Sequence, residues 1–599
     1  MAIGFLTVQA RTAQEAVPLS GVQVSILDAL GSRIYEMTTD ENGEVQAVPL
    51  ETLDRSFSQN QYFSGTPFIS YSLLAQADGF DTLYISDIPI FEGETAVVPL
   101  ALMPMQSLQR TPYQTEIHVG GPAVAMPGPR SQEGPAEQMY VLRQVVIPNR
   151  ITVHLGKPDA YAQNVQVSFP DYVKNAASSE IYPTWPEAAL RANIYAIITF
   201  ALNRIYTEWY RSRGYSFDIT NSTAYDQYFV YGRPIYGSIS RIVDEIFNEY
   251  VRRKGQNAPY FTSFCNGTTS TCQGLSQWGT VTLADRGYTP LQILRSYYPK
   301  DIEIAQTEII TGVLSSYPGA PLQQGSTGLD VQTIQTYLNR IRRNYPAIPA
   351  ITDKTGTFGS STKAAVKKFQ SVFNLTPDGI VGKATWYKIS SLYTAVTKLA
   401  DLNSEGETLG IGTVPPASVL RQGSRGQDVI TLQYLLNVAA EFYPGIPSPA
   451  QDGIFGSGTK QAVTAFQRMM QLTPDGIVGP MTWEALYQVY QGIEQNVPQG
   501  GTIRYVVQAG DSLWLIAQRY NTTVDTLMKL NGLTSDLLNI GQVLKVPSPQ
   551  SYIQYTVQAG DSLWLIAQKY NTTVNAVKSL NGLTSDLLNI GQVLRIPRN

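Results

Sequence analysis

Residues 503–547 read IRYVVQAGDSLWLIAQRYNTTVDTLMKLNGLTSDLLNIGQVLKVP, and residues 553–597 read IQYTVQAGDSLWLIAQKYNTTVNAVKSLNGLTSDLLNIGQVLRIP. Trp514 returns as Trp564 and Asn531 as Asn581, a period of 50 residues. A second duplication precedes this one. QQGSTGLDVQTIQTYL aligns with RQGSRGQDVITLQYLL, and KKFQSVFNLTPDGIVGKATW with TAFQRMMQLTPDGIVGPMTW, so that Asp378 and Trp386 return 97 residues later as Asp475 and Trp483. Repetition of this kind means that small units are folded more than once. At 599 residues the chain is also too long for one core, so several domains are expected.

Each 50-residue copy opens with a short strand, YVVQ or YTVQ, and closes with another, VLKVP or VLRIP. Between them Asp511 or Asp561 can cap a helix, and a second short helix leads to NGL. This β-α-α-β pattern resembles the LysM module. The resemblance implies binding of N-acetylglucosamine-containing glycans, with Asp511, Trp514, Asn531, Asp561, Trp564 and Asn581 on the turn and loop that line the groove. Core packing is the other reading of the two tryptophans. In the 97-residue copies helical periodicity dominates, and LTPDGIVG joins helices through residues that stop a helix. GTFGSST, DGIFGSGT, DGIVGKAT and DGIVGPMT resemble the marks of the three-helix peptidoglycan-binding domain, expected over 318–396 and 417–493. Asp378, Gly382, Asp475 and Gly479 read as turn residues rather than ligand contacts. Stretches 397–416 and 494–502 read as linkers. Four weak binding modules in series raise avidity through effective concentration.

Composition narrows the partners. A net charge of −4 lacks the basic footprint that nucleic acid demands. Low charge (15%) with 36 tyrosines suits neutral, hydroxyl-rich ligands. The start, MAIGFLTVQARTAQ, shows no secretory signal, and no apolar run is long enough to span a membrane. Cys265 and Cys272 are the two cysteines of the sequence, close enough for a local disulfide; two free thiols are the alternative.

Residues 1–105 alternate as strands separated by turns such as TDENGE, which predicts a small β-sandwich. GVQVSIL…TTDENGEV resembles the transthyretin-like domains found beside carboxypeptidases. The Gly- and Pro-rich stretch within 106–146 reads as a protease-accessible linker. A removable domain ahead of a catalytic one is a proenzyme layout; a spacer is the plainer reading.

Residues 147–312 remain for chemistry. The sequence has two histidines, His118 and His154, and lacks GxSxG and HExxH, which disfavours a serine triad and zinc peptidase chemistry. A Cys265–His154 amidase stays open as a further alternative. Carboxylate chemistry on sugars requires neither histidine nor metal. In SSEIYPTWPE, Glu180 stands among Pro183, Pro186, Tyr182 and Trp185, just before a long helix in which Leu190, Ile194, Ile197, Ala201 and Ile205 mark a buried face. Thr184 and Glu187 predict a T-x-x-E capping box, and Gly214 a helix end. Tyr182 and Trp185 can wall the carboxyl, which would raise its pKa and hold a proton for a leaving glycosidic oxygen. A capping or salt-bridge role is the ordinary alternative for such a glutamate.

SSEIYPTWPEAALRANIYAIITFAL resembles the E-x-P-x-x-[WF]-P-x-E-A-L signature of the stage II sporulation protein D family of lytic transglycosylases, and GLSQWGTVTLADRGYTPLQILRSYYP its closing segment. FDITNSTAYDQYFVYGR corresponds more loosely to the middle of that family. With the flanking domains, residues 1–395 resemble the clostridial spore cortex-lytic enzymes. The resemblance implies Glu180 as catalytic acid and base, Ser276 and Gln277 beside it, and processing near Gln144-Val145 by an activating protease. There are departures. Ile198 stands where the family has arginine, and the cysteine-histidine zinc site of some members is not reproduced, so no metal or cofactor is expected. Asp218 or Asp226 could supply a second carboxylate if the bond is hydrolysed by water; loop capping is the alternative. The expectation is a multidomain α+β peptidoglycan-lytic proenzyme of the spore cortex or cell wall, without nucleic-acid or membrane partners. The rival reading is a non-catalytic attachment protein.

Overall fold

The computed structural model describes residues 2–12, 15–77, 80–100, 102, 114–125, 142, 144–268, 274–311, 317–409, 419–443, 445–470 and 472–496, and the segments within 502–597 named below. Residues 1–494 form one compact unit and 495–599 a second.

The first unit opens with strands β1 (Ala2–Thr12), β2 (Val17–Pro18), β3 (Gln23–Leu27), β4 (Arg33–Thr38) and β5 (Val48–Thr52). A short helix α1 (Arg55–Ser58) follows, then β6 (Ile69–Gln76), β7 (Thr82–Ile90), β8 (Thr95–Leu100) and β9 (Gln114–His118). Burial alternates along β1, with Leu6, Val8 and Ala10 inward, as a sheet with one covered face requires. Two five-stranded sheets result. One runs β4-β3-β6-β7-β9, with β9 parallel to β7, so part of the stretch 106–146 read as linker is a strand. Its alternating Thr115 and Ile117 are the partly covered residues of an edge strand. The other sheet joins β8, β1, β2 and β5, and takes its edge from β14 (Ile235–Tyr236), far downstream and antiparallel to β8.

The next region contains β10 (Ile147–Pro148), β11 (Arg150–His154), β12 (Asn164–Ser168), α2 (Phe169–Glu180), α3 (Glu187–Tyr206) and β13 (Ile219–Thr220). After β14 come α4 (Gly237–Ile246), β15 (Glu249–Arg253), β16 (Phe264–Cys265), β17 (Leu275–Ser276), α5 (Gln277–Asp285), α6 (Pro290–Tyr297), β18 (Ile302–Gln306) and β19 (Ile310–Thr311). Helix α3 is its axle. Leu190, Ile194, Ile197 and Ala201 are buried as their spacing predicts, but so are Ala192, Ile198 and Phe200. A helix apolar all round belongs inside, and α2, α4, α5, α6 and β15 pack about it. It ends at Tyr206 rather than Gly214, which instead closes a single turn at Arg211–Arg213 with φ of 85°.

Two three-helix units complete the first unit: α7 (Leu329–Ile341), α8 (Ser360–Val372) and α9 (Lys383–Leu409), then α10 (Gln427–Phe442), α11 (Ser457–Met469) and α12 (Pro480–Asn496). Helix α9 runs into the stretch 397–416 read as linker. No proline occurs there before Pro415, so nothing forces a stop at the earlier Ser and Gly. A charged junction ties α9 to both preceding regions: Lys388 lies 2.6 Å from Glu15 and 3.8 Å from Asp171, and Lys174 lies 2.7 Å from Asp244. Burial pushes Asp171 up, but Lys388, Lys174 and the Ser168 hydroxyl outweigh it and hold the carboxyl below its usual range.

In the second unit β20 (Thr502–Val506) pairs antiparallel with β21 (Val543–Pro547), and β22 (Tyr552–Thr556) with β23 (Val593–Pro597). Helix α13 (Leu563–Lys569) lies between the strands of the second pair in sequence. Leu513, Ile516, Leu527 and Leu544 form one core; Leu563, Ile566, Val577 and Leu594 form the matching one.

Candidate functional site

Helix α2 starts where Ser168 caps it, its hydroxyl accepting from Asp171 N at 3.2 Å, and it ends at Glu180. Glu180 is therefore the last residue of one helix rather than a loop residue before another. Ile181 turns extended, and the residue before each proline is steered from the helical region, so α3 cannot begin until Pro186 is passed. Pro186, not Thr184, is the N-cap residue, and the predicted capping box does not form. The Thr184 hydroxyl meets Ser58 Oγ at 2.6 Å, while Glu187 accepts from Arg191 and Arg241.

Glu180 is completely buried. Its Oε1 accepts from the Tyr228 backbone N–H at 2.8 Å and its Oε2 from Gln277 Nε2 at 3.2 Å. Gln277 opens α5, whose N-cap is Ser276, with Oγ accepting from Gly279 N at 3.0 Å. Thr280, one turn on, accepts from Asn193 of α3, which fixes α5 against the axle helix. Two glycines make room at Ser276. A Cβ on Gly267, whose φ is +81°, would stand 1.8 Å from Ser276 Oγ, and one on Gly279 would stand 2.0 Å from the Tyr297 hydroxyl. Gln277 donates to this carboxyl, yet its own Oε1 is buried without a hydrogen-bond partner. Native interiors rarely tolerate such an atom without a reason, and one on the residue that holds a buried carboxyl suits a pocket that completes its bonding with a ligand.

The structure brings Gln277 to Glu180 and makes Ser276 the N-cap of Gln277's helix. It sends Tyr182 and Trp185 into an aromatic cluster shared with the N-terminal sheets. Their rings lie 6.0 Å apart, Trp185 is 4.9 Å from Trp278, Tyr182 is 5.7 Å from Phe91, and Trp185 Nε1 donates to Ser58 O. Burial pushes the Tyr182 hydroxyl well up.

Three expectations need correction. Asp226 is buried, but Arg204 Nε donates to its Oδ1, and Tyr210, Thr220 N and Thr220 Oγ1 to its Oδ2. It is the carboxylate of a buried ion pair, committed to Arg204 and to the donors of Tyr210 and Thr220. Asp218 is likewise committed, to Thr152 N and Arg211. Cys265 is disulfide-bonded, which removes the thiolate a Cys-His amidase needs. His154 stacks on Phe217 at 4.6 Å, with Asn164 and the Lys157 carbonyl at its two ring nitrogens. Cys272, the second cysteine of the sequence, lies outside the described residues, as do Asp511, Trp514, Asn531, Asp561 and Asn581. Trp564 falls within α13, but its side chain is outside the described set. Among the described residues no group of three or more His, Cys, Asp and Glu side chains is arranged to hold a metal.

Sequence reasoning missed Tyr228, which acts through its backbone, and Arg233, buried at the end of the loosely matching middle segment. No spacing rule marks a backbone donor. An arginine in the low-charge stretch YFVYGRPIYG was a usable signal.

Comparison with known proteins agrees with the repeats. Residues 505–547 and 555–597 match the LysM domain family, and residues 327–389 and 425–486 a peptidoglycan binding domain family. The chain is 29% identical over 184 residues to the N-acetylmuramoyl-L-alanine amidase CwlL of Bacillus licheniformis, covering 30% of this chain and 48% of that one. It is 52% identical over 52 residues to the N-acetylmuramoyl-L-alanine amidase sle1 of Staphylococcus aureus, covering 9% and 16%. Among solved structures, the Bacillus cereus spore cortex-lytic enzyme SleL is 34% identical over 16% of this chain and 23% of that one, at a TM-score of 0.08. The chain spans about half the length, or less, of these curated relatives. It is a multidomain α+β protein that carries two LysM domains and two peptidoglycan binding domains.

Proposed function

We propose that the chain is a peptidoglycan-lytic enzyme of the spore cortex or cell wall, acting as a lytic transglycosylase through Glu180. The observation that carries this is a buried glutamate held by the Tyr228 N–H and by Gln277, whose own Oε1 is unfilled, in a protein with four wall-type binding domains. Those domains would hold the glycan strands, and relatives named as muramoyl-alanine amidases support the same polymer as substrate.

Glu180 would give its proton to the glycosidic oxygen as the bond from muramic acid C1 to that oxygen breaks. The muramic 6-hydroxyl would then attack C1, return its proton to Glu180 and close an anhydro ring. The catalyst is restored and no water is consumed. One carboxyl suffices, which fits the commitment of Asp226 and Asp218 elsewhere. The N-terminal sheets would be a prosegment, released by cleavage near Gln144-Val145. Contacts of Ser58, Gln59 and Phe91 with Thr184, Trp185 and Tyr182 support that role, since they cover the segment after Glu180.

The enclosure of Glu180 is also what an attachment protein without activity would show, and one experiment separates the two. Cortex peptidoglycan is treated with the chain cut at Gln144-Val145, or with its Glu180→Gln variant, and fragments are weighed by mass spectrometry. Ends one water lighter than reducing muramic acid, absent with the variant, are expected. Reducing ends would mean hydrolysis, and intact strands with binding retained would mean attachment.

A further inference from the structure

Lys174, Arg204 and Arg233 are buried cations among the described residues. Lys174 pairs with Asp244 and Arg204 with Asp226. For Arg233, no carboxylate among the described residues comes within ion-pairing distance, though its exposure is 0%. Its Nη1 donates to Ser178 O at 3.3 Å and its Nη2 to Val119 O at 2.6 Å, and its guanidinium lies 5.5 Å from the Tyr228 ring centroid. Its Nε has no partner. The charge of Glu180 reaches the guanidinium only at longer range, and a cation taken out of water without a paired counter-ion is costly, so an arginine kept this way suits an anion that arrives later.

The place of the open donor indicates which anion. Nε and Nη2 form one side of the guanidinium fork, the side that accepts both oxygens of a carboxylate. Here that side is half used, by a single backbone carbonyl. The carbonyl belongs to Val119, next to β9 of the N-terminal sheets, and Ile117 of that strand presses on Gly232, where a Cβ would meet it at 2.8 Å. The other acceptor, Ser178 O, is two residues before Glu180, and Tyr228, under the guanidinium, gives its N–H to Glu180. The arginine thus borders the Glu180 pocket on one side and the N-terminal segment on the other.

We propose that Arg233 is the carboxylate-binding residue of the Glu180 site, and that the Val119 carbonyl holds its place while the N-terminal segment is attached. The inference rests on the lytic reading above. Release of residues 1–144 takes away the carbonyl and uncovers the fork for a carboxylate on the glycan. That carboxylate is either the lactyl group of a peptide-free muramic acid or an acid of its peptide substituent.

Binding is measured in the Glu180→Gln background, full chain, before and after cleavage at Gln144-Val145, so that turnover plays no part. The probes are a peptide-free disaccharide with a free lactyl carboxylate, its muramyl-peptide counterpart, and the methylamide of each. The cut protein is expected to prefer one free acid over its methylamide by on the order of 10- to 100-fold, the worth of a charge-assisted hydrogen bond. Which probe shows the preference identifies the source. The preference is expected to vanish in Arg233→Gln, to be reduced in Arg233→Lys, which keeps charge but not the fork, and to be absent before cleavage. Subtracting the Arg233→Gln isotherm removes what the repeat domains bind. No acid preference in the cut protein, or one that survives in a folded Arg233→Gln, overturns the proposal. Failure of the lytic reading shows separately, as intact strands with the unmutated protein.

Discussion

Buried glutamines behave differently in two regions of this molecule. In the three-helix units, Gln335, Gln370, Gln433 and Gln467 each donate through Nε2 to carbonyls and hydroxyls of the neighbouring turns and accept through Oε1 from a glycine N–H. In three of them an aspartate of the turn, Asp378, Asp452 or Asp475, also accepts from the amide. These residues staple the glycine turns, three of which begin with Asp-Gly, and neither end of their amides is left over. Gln277 gives its amide hydrogen to Glu180 and keeps Oε1 unpartnered. The same side chain is mortar in one place and an unfinished bond in the other. The lesson is that burial and conservative chemistry do not separate structure from function; the state of satisfaction of the polar atoms does.

Several changes would break or sharpen this contrast. The largest effect is expected from Glu180→Gln, which should lower lytic turnover by roughly 10³-fold with unchanged retention on insoluble wall; a variant that keeps its rate would end the single-glutamate scheme. Asp226→Asn should act on the other side of the divide. It breaks the pair with Arg204, whose side chain is 1% exposed, and should cost about 3–5 kcal/mol in thermal unfolding of the first unit without altering the product ends. Gln277→Leu should reduce turnover on the order of 10²-fold, as the loss of one preorganised donor does, with little change in melting. Gln467→Leu should do the reverse, costing about 2–3 kcal/mol through the partners it leaves unsatisfied and sparing turnover. If both glutamine changes moved the same quantity, the contrast would be lost.

The smallest effect tests the charged junction. Asp171 is held below its usual range by Lys388, Lys174 and Ser168 against the opposing pull of burial, so its charged form contributes stability above its unfolded pKa. That contribution fades as pH falls through the lower folded value. Asp171→Asn should therefore melt below the parent at pH 7, by about 1 kcal/mol for a pair open to solvent on one side, and the gap should begin to narrow as pH falls below about 4 and close only below the lower folded value. A gap that persists in acid would assign the loss to packing rather than charge.

Much of this protein is legible without coordinates. The periods of 50 and 97 residues, the Asp-Gly turns and the apolar spacing of each helix are local patterns, and they specify the repeat units because each unit closes its core and its hydrogen bonds within some fifty to eighty residues. Glu180 stood out too, as a carboxylate among prolines and aromatic residues before a long helix, although its place at the end of α2 did not. Less so were its surroundings. The capping box failed because Pro186 took the cap position, and α3 is enclosed on every side because four other helices and a strand surround it. Asp226 could not be told from a catalytic acid until Arg204 was found beside it. The tertiary structure alone decided that Tyr228 and Gln277, 48 and 97 residues away, both meet Glu180, and that Val119 and Ser58 reach the same neighbourhood from the N-terminal sheets. The physical reason is that such contacts are made by the packing of distant elements around one axle helix, and no periodicity of 2 or 3.6 residues carries that information.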